Sequence, residues 1–146
     1  MAVLFVLFAG WLAFRGAGAL GVGIFAGWHD SARYALAVMF VFTGISHFTR
    51  MKQGFVKMLP SFVPQPMAII YLTGVLEFLG AIGLLLPRFE RWAALGLIGL
   101  LIAMFPANVK AALQAIPLRG KSPTPLWLRA PMQVLFIALL WWSTKA

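Results

Sequence analysis

The chain has 146 residues, 62% of them hydrophobic and only 10% charged, and carries a net charge of +9 from twelve Lys/Arg against three acids. Soluble domains carry about 25% charged residues, so this composition excludes an ordinary soluble surface and reads as a membrane protein of about four or five spans. The absence of cysteine excludes disulfides, Fe–S clusters and thiolate zinc sites.

The first apolar stretch, residues 2–28, is interrupted by Arg15 and rich in glycine. No Lys or Arg precedes its apolar core, so it reads as a retained transmembrane helix rather than a cleaved leader. Gly23 and Gly27 stand at GxxxG spacing, which permits close helix packing or simply reflects the glycine content. Residues 1–28 are therefore set apart as an N-terminal segment, and residues 29–146 as a four-helix membrane domain. Its apolar helices are expected at about 32–48, 67–86, 92–113 and 126–142, making the fold class an all-α transmembrane bundle.

Between the second and third stretches, Phe55, Met58, Leu59, Phe62 and Val63 recur at helical spacing, with Lys52 and Lys57 among them. That pattern predicts a short amphipathic segment in the interface, limited to about two turns by Pro60 and Pro64. Pro106 and Pro131 fall inside the last two spans, and each frees a backbone carbonyl one turn earlier.

Basic residues divide by side. Arg50, Lys52, Lys57, Lys110, Arg119, Lys121 and Arg129 fall on one side with no acid, whereas Arg33, Arg88, Arg91 and Lys145 share the other with Asp30 and Glu90. The positive-inside rule makes loops 49–66 and 114–125 cytoplasmic, in a bacterial plasma (inner) membrane. Trp28, Trp92, Trp141 and Trp142 gather on the outer side and Trp127 on the inner, as interfacial anchors do. The cations are thereby assigned to topology and anionic lipid rather than to nucleic acid.

Glu77 is the residue that topology does not explain. It stands in the middle of Met67–Leu86, a run with no other charge, where a carboxylate must be paired, protonated or facing water. At about 1.5 Å per residue it lies roughly 16 Å deep, with Arg15 at about 18–20 Å as a candidate partner in a structural ion pair. Gln133 and Thr43 come out at about 8–12 Å, Tyr71, Asn108 and Arg129 at roughly 5–8 Å, and His47 at about 2–3 Å. This bias of polar groups towards the inner half predicts a pocket open to the inner leaflet. Glu77 would exchange protons there, and His47, Tyr71, Asn108 and Gln133 would bind a ligand headgroup. The same residues also suit interhelical hydrogen bonding. His29 and His47 lie at opposite ends of one span, so no metal site is expected.

Several of these segments resemble those of the DoxX-like (DoxX/DoxD) membrane proteins. Phe42-Thr-Gly-Ile-Ser-His47-Phe48 is similar to that family's first core helix, and Met58-Leu-Pro60-Ser-Phe-Val-Pro64-Gln-Pro66 to the Pro-rich loop that follows. Tyr71 to Pro87, with Gly74, Glu77, Gly80 and Gly83, resembles the second core helix. Phe105-Pro106-Ala107-Asn108-Val109 resembles the third, and Arg129-Ala-Pro131-Met-Gln133 the fourth. The resemblance implies a four-helix core, and association with membrane redox complexes that handle quinone.

Three functions follow as expectations. The first is an accessory, oxidoreductase-associated subunit that binds quinone or lipid. The second is a non-catalytic chaperone or scaffold, whose glycine faces pack against a protein partner or another copy. The third is a small solute or proton transporter. No triad, paired carboxylates, phosphate loop or zinc spacing marks a self-contained enzyme.

Overall fold

A computed structural model describes every residue except Arg119, Pro123 and Ala146. The described residues form α1 (Ala2–Ala19), a single 3-10 turn (Gly23–Phe25), α2 (Trp28–Ser46), α3 (Lys52–Met58), α4 (Pro66–Leu85), α5 (Glu90–Leu113) and α6 (Leu126–Ser143). There are no named strands among them, so the all-helical class expected from the sequence is observed.

Among the described residues four helices, α1, α4, α5 and α6, are long and apolar enough to cross a membrane. The set differs from the expected one in a single member. α2 falls out because His29, Asp30, Ser31 and Arg33 occupy its first turns. It tolerates them because Arg33 pairs with Asp30 and Glu90 and Ser31 donates to the Phe25 and Gly27 carbonyls, and beyond them it is the helix most enclosed by the others, packed against α1, α4 and α6. Its Ala32, Ala35, Leu36, Met39 and Phe40 are almost entirely buried.

Four helices close a ring: α2 on α4, α4 on α5, α5 on α6, and α6 back on α2. α1 lies outside the ring against α2, yet its Leu7 is fully buried in the same cluster as Leu84, Leu97, Phe136 and Leu140. The outward faces carry the large apolar side chains. Phe5, Leu12, Trp92, Leu113 and Val134 are among the most exposed residues, the reverse of a soluble protein and the pattern lipid contact requires.

The N-terminal segment is not one helix to residue 28. It breaks after Ala19, passes Gly21 at φ +105°, and turns back into α2. Ala17 and Gly18 already accept the bonds of the turn, and the Phe25 carbonyl sits where a side chain on Gly18 would be. Gly23 and Gly27 therefore belong to the α1–α2 connection and not to a helix face.

Charge separates to the two ends of the bundle. At one end Arg33 of α2 bonds Asp30 (3.0 Å) and Glu90 of α5, and Arg91 and Lys145 lie over Trp141. At the other, Lys52, Lys110 and Arg129 bond groups of neighbouring segments. Arg119, expected with them, lies outside the described residues.

Candidate functional site

The site is built where α2 stops short. α2 ends at Ser46, and His47 is level with Gly74, eight residues into α4 and so about 12 Å above its start. Counting depth from each helix end places His47 and Glu77 a layer apart, but the structure makes them neighbours. His47 Nδ1 is 3.7 Å from Glu77 Oε2, and both side chains are about 95% buried. The layer beneath is filled by α3, whose Phe55 ring lies 4.8 Å from the His47 ring and whose Met58 is buried. The amphipathic pattern thus holds for Phe55 and Met58, while Phe62 is 84% exposed.

Glycine makes this contact possible. A Cβ on Gly74 would meet Phe48 Cε2 at 2.6 Å, His47 Cβ at 2.8 Å and the Gly44 carbonyl at 3.2 Å. Gly44 in turn receives the ring of Phe78. With hydrogen in place of both side chains, the α2 and α4 backbones approach closely enough for an imidazole on one to reach a carboxyl on the other.

Within the pair, His47 Nδ1 is 3.1 Å from the Thr43 carbonyl, so a proton on that nitrogen is donated to the backbone. Among the described residues, Glu77 Oε2 is buried and has no hydrogen-bond partner. A carboxyl in this state has one open position for a proton or for a donor from outside. At 3.7 Å the imidazole and the carboxyl are within ion-pair distance but beyond direct hydrogen-bond reach, so a proton passes between them only through a bridging water or after a small approach.

The other expected site residues are placed elsewhere. Tyr71 Oη accepts from Lys52 Nζ at 2.7 Å, which ties α4 to α3. Asn108 Oδ1 accepts from Arg129 Nη1 at 3.0 Å, and Arg129 Nε donates to the Thr124 carbonyl at 2.8 Å. Gln133 Nε2 donates to the Leu101 carbonyl at 2.6 Å, next to Ile102, whose carbonyl loses its usual donor to Pro106. The Asn108 and Gln133 bonds stitch α5 to α6. Tyr71, Asn108 and Gln133 are thus each engaged by a neighbouring segment, and not by Glu77.

Arg15 is not brought to Glu77. Its guanidinium lies 5.0 Å over the Trp28 ring at the start of α2, whereas Glu77 faces the end of α2. Helix depth alone matched them, but depth does not say which helices touch, and α1 has α2 between it and α4. Sequence reasoning also missed two latches on α3. Lys52 bonds Tyr71, and Lys110 Nζ donates to the Leu59 carbonyl at 2.6 Å. In the sequence Lys110 reads as a topology signal and Lys52 as that and the polar part of the amphipathic segment, and nothing in their spacing marks a bond across the loop. Among the described residues no group of three His, Cys, Asp or Glu side chains is placed to hold a metal ion.

No curated protein and no solved structure matches the chain. A family profile, described as a domain of unknown function (DUF8561), matches residues 36–144, from the middle of α2 to the end of α6 and including both His47 and Glu77. The chain therefore belongs to this family, whose shared region begins inside α2, the helix whose C-terminal end His47 caps.

Proposed function

We propose that this is an integral protein of a bacterial plasma membrane, DoxX-like in type, that works as an accessory subunit of a membrane redox complex. Its working group is the His47–Glu77 pair, which exchanges the proton that accompanies oxidation or reduction of a quinone-class ligand. The observation that carries this reading is the unpartnered Glu77 Oε2 beside an imidazole, deep between two helices and covered by a two-turn helix. A bound quinone would supply the electron-accepting carbonyls, and a partner protein the electrons. This chain would hold a proton at Glu77 and deliver it at a fixed position. The residues fit such a ligand only in part, because Tyr71, Asn108 and Gln133 already have partners. The excess of cations at the α3 end supports a cytoplasmic position for that end.

Quinone extracted from purified protein tests the proposal. Wild type is expected to retain quinone. Glu77→Gln, a neutral isostere, should keep the melting temperature and lose about tenfold or more of the retained quinone, the equivalent of one strong hydrogen bond. Protein that carries no quinone and does not respond to added quinone would sink the reading.

A second reading, a scaffold without chemistry, is favoured by Gly96 and Gly99 of α5, which have open space where side chains would be. Small residues on an outward face let another helix approach closely. In that case Glu77→Gln would lower the melting temperature or loosen the complex and leave no separate chemical defect.

A further inference from the structure

The three acids of the chain are Asp30, Glu77 and Glu90. Asp30 and Glu90 are held by Arg33 at the end of the bundle away from α3, and Glu77 is buried beside His47. The α3 end therefore has no acidic surface group, although Arg50, Lys52, Lys57, Lys110, Lys121 and Arg129 are all there. Three of these cations are occupied inside the fold: Lys52 by Tyr71, Lys110 by the Leu59 carbonyl, and Arg129 by Asn108 and the Thr124 carbonyl.

Two of the remaining cations, Arg50 and Lys57, line one cleft of about 520 Å³. One wall is Thr49, Arg50, Gln53 and Lys57, from the turn before α3 and from α3 itself; the other is Pro117 and Leu118, from the segment after α5. The walls are held together at Gly54, where a Cβ would stand 2.6 Å from Leu118 Cδ2. The volume is within the range of about 300–1,000 Å³ typical of small-ligand sites. Its lining joins two cations and an amide to an apolar wall. That combination suits an amphiphilic anion better than a simple ion or an apolar chain.

We propose that this cleft binds a phosphate-bearing anion, with Arg50 and Lys57 on the phosphate, Gln53 on its polar substituent, and Pro117 and Leu118 against the apolar part. The ligand supplies the counter-charge that the protein omits at this end. An anionic phospholipid headgroup meets all three demands, and the cleft lies at a polar end of the apolar bundle, where such headgroups are found. α3 forms one wall of the cleft and also covers His47, so an occupied cleft would hold α3 down over the buried pair.

The experiment uses the full chain in a neutral detergent, challenged separately with phosphatidylglycerol, phosphatidylcholine and inorganic phosphate. Binding is read by native mass spectrometry and by the melting temperature. Phosphatidylglycerol is expected to be retained in preference to phosphatidylcholine. The Arg50→Ala/Lys57→Ala double variant should weaken it about thirtyfold, since each cation near a headgroup contributes about 1 kcal/mol. Arg88→Ala, the loss of a cation at the opposite end, should leave it unchanged, and Arg50→Lys/Lys57→Arg should restore it. If inorganic phosphate competes with the lipid and depends on the same two residues, the site stands and its ligand is a soluble phosphate. Equal retention by wild type and the double variant, or an equal loss in Arg88→Ala, would overturn the proposal.

Discussion

At Gly74 the α4 backbone meets a phenylalanine, a histidine and a carbonyl of α2 at once, all within 3.2 Å of where a Cβ would be. Two of these neighbours cannot give way cheaply, because one is backbone and the other is the Cβ of the site histidine. Gly74→Ala should therefore force α2 and α4 apart. Overpacking of this kind costs about 1–3 kcal/mol and would show as a lower melting temperature in detergent. An unchanged melting temperature would mean that the two helices are not in this contact. The same glycine explains why Glu77 could be singled out in the sequence while its partner could not. A charge in a long apolar run is visible in one dimension. Which side chain faces it depends on how closely two backbones approach, and a glycine in a glycine-rich chain does not announce that role.

Helix ends account for a second group of residues. α5 ends through Gln114 and Ala115, the latter at φ +49°, and the Ile116 N–H returns to the Ala111 carbonyl at 3.1 Å. Ile116 then packs on Ala111 and Met58, the apolar contact that accompanies this kind of helix stop. The left-handed position usually carries glycine, because a Cβ there costs about 1–2 kcal/mol. Ala115→Gly is therefore expected to stabilise the protein by about 1 kcal/mol and raise the melting temperature, provided this turn is formed. A fall in melting temperature would contradict the turn. The stop matters for the site because it delivers Ile116 and Leu118 to α3, which covers His47. Alanine gives no stop signal, so the sequence shows that α5 ends here without showing how. The two-turn length of α3, by contrast, was legible, since Pro60 and Pro64 bound it.

For the whole molecule, the ends of the bundle are chemically unlike. One pairs both of its acids, Asp30 and Glu90, with Arg33, and the other has cations without acids. With no cysteine in the chain, single substitutions can report the side of each end. Lys57→Cys and Arg88→Cys are expected to react with an impermeant thiol reagent from opposite sides of the membrane. Arg88→Cys should label in intact cells and Lys57→Cys only after permeabilisation. Labelling of both from one side would break the spanning arrangement.

The sequence alone determined the class of the protein, the apolar helices α4, α5 and α6 to within a few residues, the segregation of charge, and the singular position of Glu77. All of these are set by local composition and by the cost of placing polar groups among apolar ones, which can be counted along a chain. Only the tertiary structure decided that α2, the least apolar long helix, is the most enclosed one, that Arg15 belongs to Trp28, and that Glu77 belongs to His47. Those outcomes depend on which helices are adjacent and on their relative height. Both are fixed by close packing at Gly44 and Gly74 and by the room α3 takes beneath the end of α2, and neither can be read from hydropathy or from distance along a single helix.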